Sequence, residues 1–193
     1  TNASLSHRIQ KYQPTEYVDQ KVAVRLPSGV HEIGLIPMSF ARGDKDCVAI
    51  GPHDKPVDVI IDQNCSSLIF LHSSIGRYTQ QDLNKMKFSW RLWPYGNPNG
   101  DYVVTYEDGQ TITIPLRSDD NIYWIDTHPL TRTTMGNRYV YAIKDVNGKD
   151  LQLYQLEWVN PYPAKKISKV TLKHDNLMDQ DILLVAMSAR QVK

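Results

Sequence analysis

Short runs in which apolar and polar residues alternate, separated by turn residues, recur along almost the whole chain. The clearest case is Tyr102–Leu116, where two alternating segments flank Asp108-Gly109. Glycine accepts a positive φ without a steric penalty from Cβ, so Asp-Gly favours a tight primed turn and this segment predicts a β-hairpin. Because alternate side chains of a strand share one face, Tyr102, Val104 and Tyr106 should point the same way.

More segments of this kind precede and follow the hairpin. Residues 67–72 are apolar at every position but the ends, which indicates a strand buried on both faces, and only residues 79–86 have a short helical pattern. Many short strands with Pro and Gly between them predict one all-β sandwich domain over residues 1–193, with the polar residues 1–18 as an N-terminal arm. The other predicted strands are 22–26, 31–40, 47–50, 57–61, 88–92, 121–125, 139–143, 151–159, 167–172 and 182–187.

The charge and length of the chain restrict its partners. Its 193 residues carry 22 Lys and Arg against 21 Asp and Glu, a net charge of +1. A near-neutral chain gives no electrostatic case for binding nucleic acid or an anionic membrane. No apolar run approaches the roughly 20 residues of a membrane-spanning helix. Residues 1–6 lack the pattern of a signal peptide, and this polar start predicts a segment of a larger polypeptide.

The two cysteines, Cys47 and Cys65, form neither a disulfide framework nor a metal-binding spacing. Free cysteine is among the most buried residue types, so the pattern favours two core thiols on neighbouring strands. A single disulfide between them stays open as the alternative.

The sequence does not assemble a catalytic site. It lacks a nucleophile elbow, a glycine-rich phosphate loop and a zinc-binding histidine pair. His72 ends an apolar strand, which favours a structural role. Glu157 lies beside Trp158 and is the most interesting carboxylate, but glycoside hydrolysis needs two carboxyl groups about 5 to 10 Å apart, and no sequence spacing establishes that pair. We therefore predict a non-catalytic domain.

Acidic runs in loops are candidates for calcium, which takes six to eight oxygen ligands. Residues 44–46 and 119–121 are both of this kind. Asp119, Asp120 and Asn121 are the predicted ligands of a structural calcium ion. Solvated turn residues without a metal are the alternative for both runs.

Aromatic residues in a loop give the binding hypothesis. Trp93 and Tyr95 enter a segment rich in Pro, Gly and Asn, and such segments lie on the surface. A flat ring there can stack on the apolar face of a sugar, while Arg91, Asn97 and Asn99 bind its hydroxyl groups. The alternative is that these rings fold back over the edge of the sandwich.

The end of the chain carries a resemblance. Glu157–Ile167 followed by Ile182–Met187 resembles the end of galactose-binding-like jelly rolls attached to bacterial polysaccharide-degrading enzymes, where a strand ends in Trp-x-Asn-Pro-x-Pro. Phe70–His72, Tyr102–Gly109 and Trp124 fit the middle of the same pattern in the same order. The resemblance covers roughly residues 30 to 190.

The resemblance implies a jelly-roll β-sandwich that serves as a non-catalytic carbohydrate-binding or accessory module of a glycoside hydrolase. Its implied partners are an oligo- or polysaccharide and a catalytic domain on the same chain. It also implies a structural calcium ion and a secreted, periplasmic or cell-surface location. Two alternatives stay open: a purely structural domain that packs on a catalytic domain, and a stand-alone hydrolase or lyase that uses Glu157 or His72.

Overall fold

A computed structural model describes residues 3–4, 6–7, 26, 28–33, 35–40, 46–76, 98–118, 120–125, 137–144, 150–177 and 179–191. No helix in these ranges is long and apolar enough to cross a membrane. The strands are β1 (Gly29–Ile33), β2 (Ile36–Phe40), β3 (Val48–Ile50), β4 (Val57–Gln63), β5 (Ser67–Gly76), β6 (Pro98–Tyr106), β7 (Thr111–Arg117), β8 (Asn137–Lys144), β9 (Asp150–Val159), β10 (Ile167–His174) and β11 (Gln180–Arg190).

These strands form two antiparallel sheets, which confirms the all-β prediction. The large sheet has the order β1-β2-β11-β5-β9-β8, and β3 also pairs with β11. The small sheet has the order β4-β10-β6-β7. Neighbouring strands are often distant in sequence, as in the pairing of β5 with β11 from Ser67↔Arg190 to Gly76↔Gln180. Strands that are more than about a hundred residues apart in the sequence are therefore neighbours in the large sheet.

One hydrophobic core lies between the two sheets. Phe70 of the large sheet stacks on Tyr102 of the small sheet, with ring centroids 4.3 Å apart and an interplanar angle of 8°. Tyr102, Val104 and Tyr106 are all buried and share this core, as the alternation predicts. The sandwich architecture follows from this face-to-face packing.

A second cluster covers the opposite face of the large sheet. Ile69 and Leu71 of β5 pack there with Met38 and Phe40 of β2. Strand β5 is thus buried on both faces over residues 67–75, as its continuous apolar run predicts. Residues outside the strands, among them Ala3, Leu26 and Ile125, contribute to the same cluster.

The hairpin is confirmed, but its turn is not of the predicted primed type. The Gly109 N–H donates to the Tyr106 carbonyl (3.0 Å), and the Tyr106 N–H donates to the Gln110 carbonyl (2.9 Å). Gly109 has φ of +84°, whereas Asp108 has no positive φ. A three-residue connection needs only one left-handed residue, while a two-residue primed turn needs two.

Two other strand predictions need correction. Residues 31–40 are not one extended run, because the chain turns at Leu35, which has φ of +69°, between β1 and β2. Residues 121–125 form only isolated bridges. There the Ile125 N–H donates to the Ser74 carbonyl (2.9 Å) and the Gln152 N–H donates to the Ile125 carbonyl (2.6 Å). Residues 121–125 thus lie between β5 and β9, beyond the point where these two strands stop pairing with each other.

Several predicted elements lie outside the described residues. These are residues 22–25 of the first predicted strand, the short helix 79–86, the strand 88–92 and most of the N-terminal arm 1–18. Of the arm, Ala3 forms an antiparallel bridge with Cys47.

Neither cysteine forms a disulfide and both are fully buried, as the prediction of core thiols requires. Cys47 belongs to the cluster on the outer face of the large sheet, where its thiol lies 3.5 Å from the Ala3 carbonyl. Cys65 belongs to the core between the sheets, and burial raises its pKa. They lie on opposite sides of the large sheet rather than on neighbouring strands, so the disulfide alternative is wrong.

Candidate functional site

The predicted sugar-binding residues fall in two groups. Arg91, Trp93, Tyr95 and Asn97 lie outside the described residues. Asn99 lies in β6 and is fully buried, not in a surface loop. The Ser118 hydroxyl donates to its Oδ1 (2.8 Å). The sugar contacts stay predictions, and any contact of Asn99 with a ligand must be made from the interior.

The predicted calcium ligands lie in the turn after β7. Asp119 is outside the described residues, and Asn121 uses its side chain to hold the turn. Its Oδ1 accepts from the Arg117 N–H (2.8 Å), and its Nδ2 donates to the Pro115 carbonyl (2.8 Å). Asp120 lies in the same turn. Within the described ranges no group of three His, Cys, Asp or Glu side chains could hold a metal ion, and the calcium site stays a prediction.

His72 is a core residue between the two sheets. Its side chain is fully buried, stacks on Tyr102 with centroids 5.9 Å apart, and has Nδ1 3.1 Å from the Tyr102 hydroxyl oxygen. Desolvation lowers its pKa to about 4, and the backbone of Asn121 opposes the shift. Nε2 of the His72 ring has no hydrogen-bond partner among the described residues, so the Asn121 backbone affects the pKa without forming a hydrogen bond to this atom. The ring is therefore neutral near pH 7, as a structural histidine would be.

Glu157 lies far from His72. Glu157 pairs with Ile69 of β5, whose side chain belongs to the cluster on the outer face of the large sheet, so Glu157 faces that side. His72 pairs with Tyr154, three positions earlier in β9, and faces the space between the two sheets. Glu157 Oε1 accepts from the Ser67 hydroxyl (2.8 Å) and lies 3.4 Å from Arg190 Nη2. The two residues proposed for the enzyme alternatives are therefore not brought into one site.

Buried polar atoms without a hydrogen bond gather at one end of the sandwich, which we call the polar end (Ser74, Asn99, Ser118, Asp175 and Gln180). The unbonded atoms are Ser74 Oγ, Asn99 Nδ2, Asp175 Oδ2 and both side-chain polar atoms of Gln180. These residues meet where β5 ends and where β6 and β11 begin, and the Asp175 N–H donates to the Asn99 carbonyl (3.1 Å). Buried polar atoms nearly always have partners, so these atoms are an exception within the described part of the chain.

Two carboxyl groups near this end have raised pKa values. Burial raises the pKa of Asp175, against the opposing effects of the Leu177 backbone and His174. Burial also raises the pKa of Asp101, against the opposing effect of Lys173 and Arg117. The unbonded atoms at the polar end include both donors and acceptors.

The opposite end of the sandwich holds an exposed aromatic side chain that the sequence reasoning missed. Tyr162 follows β9 in the segment Asn160–Pro163 and is 42% exposed. Pro161 and Pro163 end the strand, since proline cannot donate to a ladder, and this pattern alone predicts a structural segment. The sequence signal that could have identified Tyr162 as a rigid exposed ring is its position between two prolines.

No family model, curated protein or solved structure matches this chain.

Proposed function

We propose that this chain is a non-catalytic carbohydrate-binding or accessory module, a jelly roll of the galactose-binding type that works beside a polysaccharide-degrading catalytic domain. The observation that carries the proposal is the sandwich of two antiparallel sheets, the architecture that the resemblance to galactose-binding-like jelly rolls implies.

The chain connectivity links the polar end to the predicted stacking residues. Strand β5 ends there at Gly76 and β6 begins there at Pro98, and residues 91–97 belong to the connection between them. Asn97 is bonded directly to Pro98. In this proposal Trp93 and Tyr95 supply the apolar contact with a sugar ring, and Arg91, Asn97 and Asn99 supply the polar contacts.

The positions of the candidate catalytic residues favour binding over catalysis. His72 is neutral and enclosed between the sheets, and Glu157 faces the other side of the large sheet. An acid and a base must both reach one substrate, which these two residues do not. A separate catalytic domain would supply the chemistry, and this chain would hold the polysaccharide near it.

The test is a glycan array of plant and algal polysaccharides probed with the wild-type chain and with Trp93→Ala. We expect the wild type to bind at least one glycan and the variant to bind it at least about tenfold more weakly, the effect of losing a principal aromatic contact. Leu35→Ala is the control, because this side chain is 87% exposed in the β1–β2 turn. Equal binding by Trp93→Ala would exclude the stacking site. Absence of binding by the wild type to every glycan on the array would exclude the module.

A further inference from the structure

Tyr162 is the exposed residue among the Phe, Trp and Tyr side chains whose burial the structure describes, with 42% of its surface accessible. It lies at the end of the sandwich opposite the polar end, beyond the last residue of β9. Its ring contacts the edge of Tyr106, with centroids 5.9 Å apart and an interplanar angle of 77°. The buried Tyr106 therefore supports a ring that remains open to solvent.

The backbone around Tyr162 is fixed before any ligand arrives. Asn160 Oδ1 accepts from the Tyr162 N–H (2.9 Å), and the Tyr162 carbonyl accepts from the Lys165 N–H (2.9 Å). Pro161 and Pro163 fix φ on both sides of the ring. A contact surface ordered in advance loses little conformational entropy on binding.

Lys165 connects the Tyr162 ring to two further polar side chains. Its Nζ lies over the ring, 5.4 Å from the ring centroid, and is 2.5 Å from Asp108 Oδ2 and 2.7 Å from Gln110 Oε1. The pKa of Asp108 is lowered by its hydrogen bond to Lys165. Ring, ammonium, carboxylate and carboxamide thus lie within one cluster, which we call the Tyr162 cluster (Asp108, Gln110, Tyr162 and Lys165).

The Tyr162 cluster keeps unused hydrogen-bonding capacity. An ammonium has three N–H donors, and Lys165 directs two of them to Asp108 and Gln110. The Gln110 amide nitrogen and the Tyr162 hydroxyl make no hydrogen bond with the residues that the structure describes, and the Asp108 oxygens keep further lone pairs. The charges of Lys165 and Asp108 cancel, so the cluster has no preference for an ionic ligand.

We infer that the Tyr162 cluster is a second saccharide-binding site, for one neutral pyranose unit of a polysaccharide. The ring would cover the apolar C–H face of the sugar, while Lys165, Gln110 and Asp108 bond adjacent hydroxyl groups. This inference rests on the proposed function and adds to it, because the Tyr162 cluster and the polar end lie at opposite ends of one rigid sandwich. Two sites on one chain bind a long polysaccharide with avidity.

Native affinity gels cast with galactan, xylan, mannan or β-glucan test the site. We expect the wild type to be retarded in at least one gel, and Tyr162→Ala and Gln110→Ala each to have at least about tenfold weaker affinity in that gel. Tyr162→Phe should keep most of the retardation if stacking dominates. Val159→Ala is the matched control, because Val159 is the last residue of β9, is 72% exposed and lies outside the cluster.

The outcomes separate the site from the function. Retardation of Tyr162→Ala and Gln110→Ala equal to that of the wild type would exclude the Tyr162 cluster and leave the module proposal intact. A wild type that no gel retards would exclude both. Gln110→Ala removes no core contact, so it decides the question even if Tyr162→Ala fails to fold, and thermal unfolding of each variant identifies that case.

Discussion

At the scale of single residues, Asn160 explains why the segment after β9 keeps its shape. This side chain is 3% exposed. Its Oδ1 accepts from the Tyr106 hydroxyl (2.6 Å) and the Tyr162 N–H (2.9 Å). Its Nδ2 donates to the carbonyls of Cys65 (2.8 Å) and Tyr162 (3.3 Å). One asparagine therefore joins the small sheet to both chain segments at this end of the large sheet.

Replacing Asn160 with Ala should destabilise the fold by about 2 to 3 kcal/mol, because the Tyr106 hydroxyl and the Cys65 carbonyl then lose a buried partner. Urea unfolding measures the change. Asn64→Ala is the matched control, since Asn64 is exposed and makes one bond, to the Ala164 carbonyl (2.6 Å). A loss no larger than that of the control would contradict the role of Asn160.

His72 should make stability depend on pH. Its pKa is about 4 in the folded chain and 6.5 as a free side chain, so between these values the unfolded chain binds a proton that the folded chain does not. Stability should therefore fall as the pH drops from 6.5 to 4, by up to about 3 kcal/mol. Urea unfolding of the wild type and of His72→Phe across this range isolates the effect. Parallel curves for the two proteins would contradict it.

At the scale of elements, the β6–β7 hairpin shows what alternation predicts and what it leaves open. The inward faces and the position of the turn followed from the order of apolar residues and from Asp108-Gly109. The turn type did not, because Asp-Gly serves both two-residue and three-residue connections. The strand break at Leu35 has a weaker sequence signal: Gly34 precedes it, but a single glycine within a strand-like run does not fix a turn, and leucine rarely adopts a positive φ.

Two glycines of β6 and its turn should respond differently to alanine. A Cβ on Gly109 would meet nothing within 4 Å, so only its φ of +84° opposes the substitution, at about 1 kcal/mol. A Cβ on Gly100 would lie 2.0 Å from the Lys173 carbonyl oxygen in the neighbouring strand β10. We expect Gly100→Ala to lower the unfolding midpoint far more than Gly109→Ala. Equal midpoints would show that the strands separate easily at this end.

The candidate site was less accessible to sequence reasoning than the fold. Core positions follow from the alternation of apolar and polar residues, which is visible within a short stretch of sequence. The polar end depends on residues from β5, β6 and β11 that only the sheet pairing brings together, and no spacing between Ser74, Asn99 and Gln180 indicates that meeting. The Tyr162 cluster likewise joins the β6–β7 turn to the segment before β10. Sites of this kind are set by topology rather than by a motif.

At the scale of the whole molecule, the two ends of the sandwich have different chemistry. The polar end buries unbonded donors and acceptors, whereas the other end presents an ordered ring with satisfied charges. The structural-domain alternative instead predicts one large apolar surface. Among the exposed apolar side chains of the described ranges, Val30 lies in β1 of the large sheet and Ile60 lies in β4 of the small sheet. The structural-domain alternative stays a prediction.

The most direct test of the account is the response of the wild-type chain to the glycan array. We predict concentration-dependent binding to at least one neutral plant or algal polysaccharide, as a module with two saccharide-binding ends requires. Absence of binding to every polysaccharide on the array, by a chain whose thermal unfolding shows that it is folded, would contradict the account.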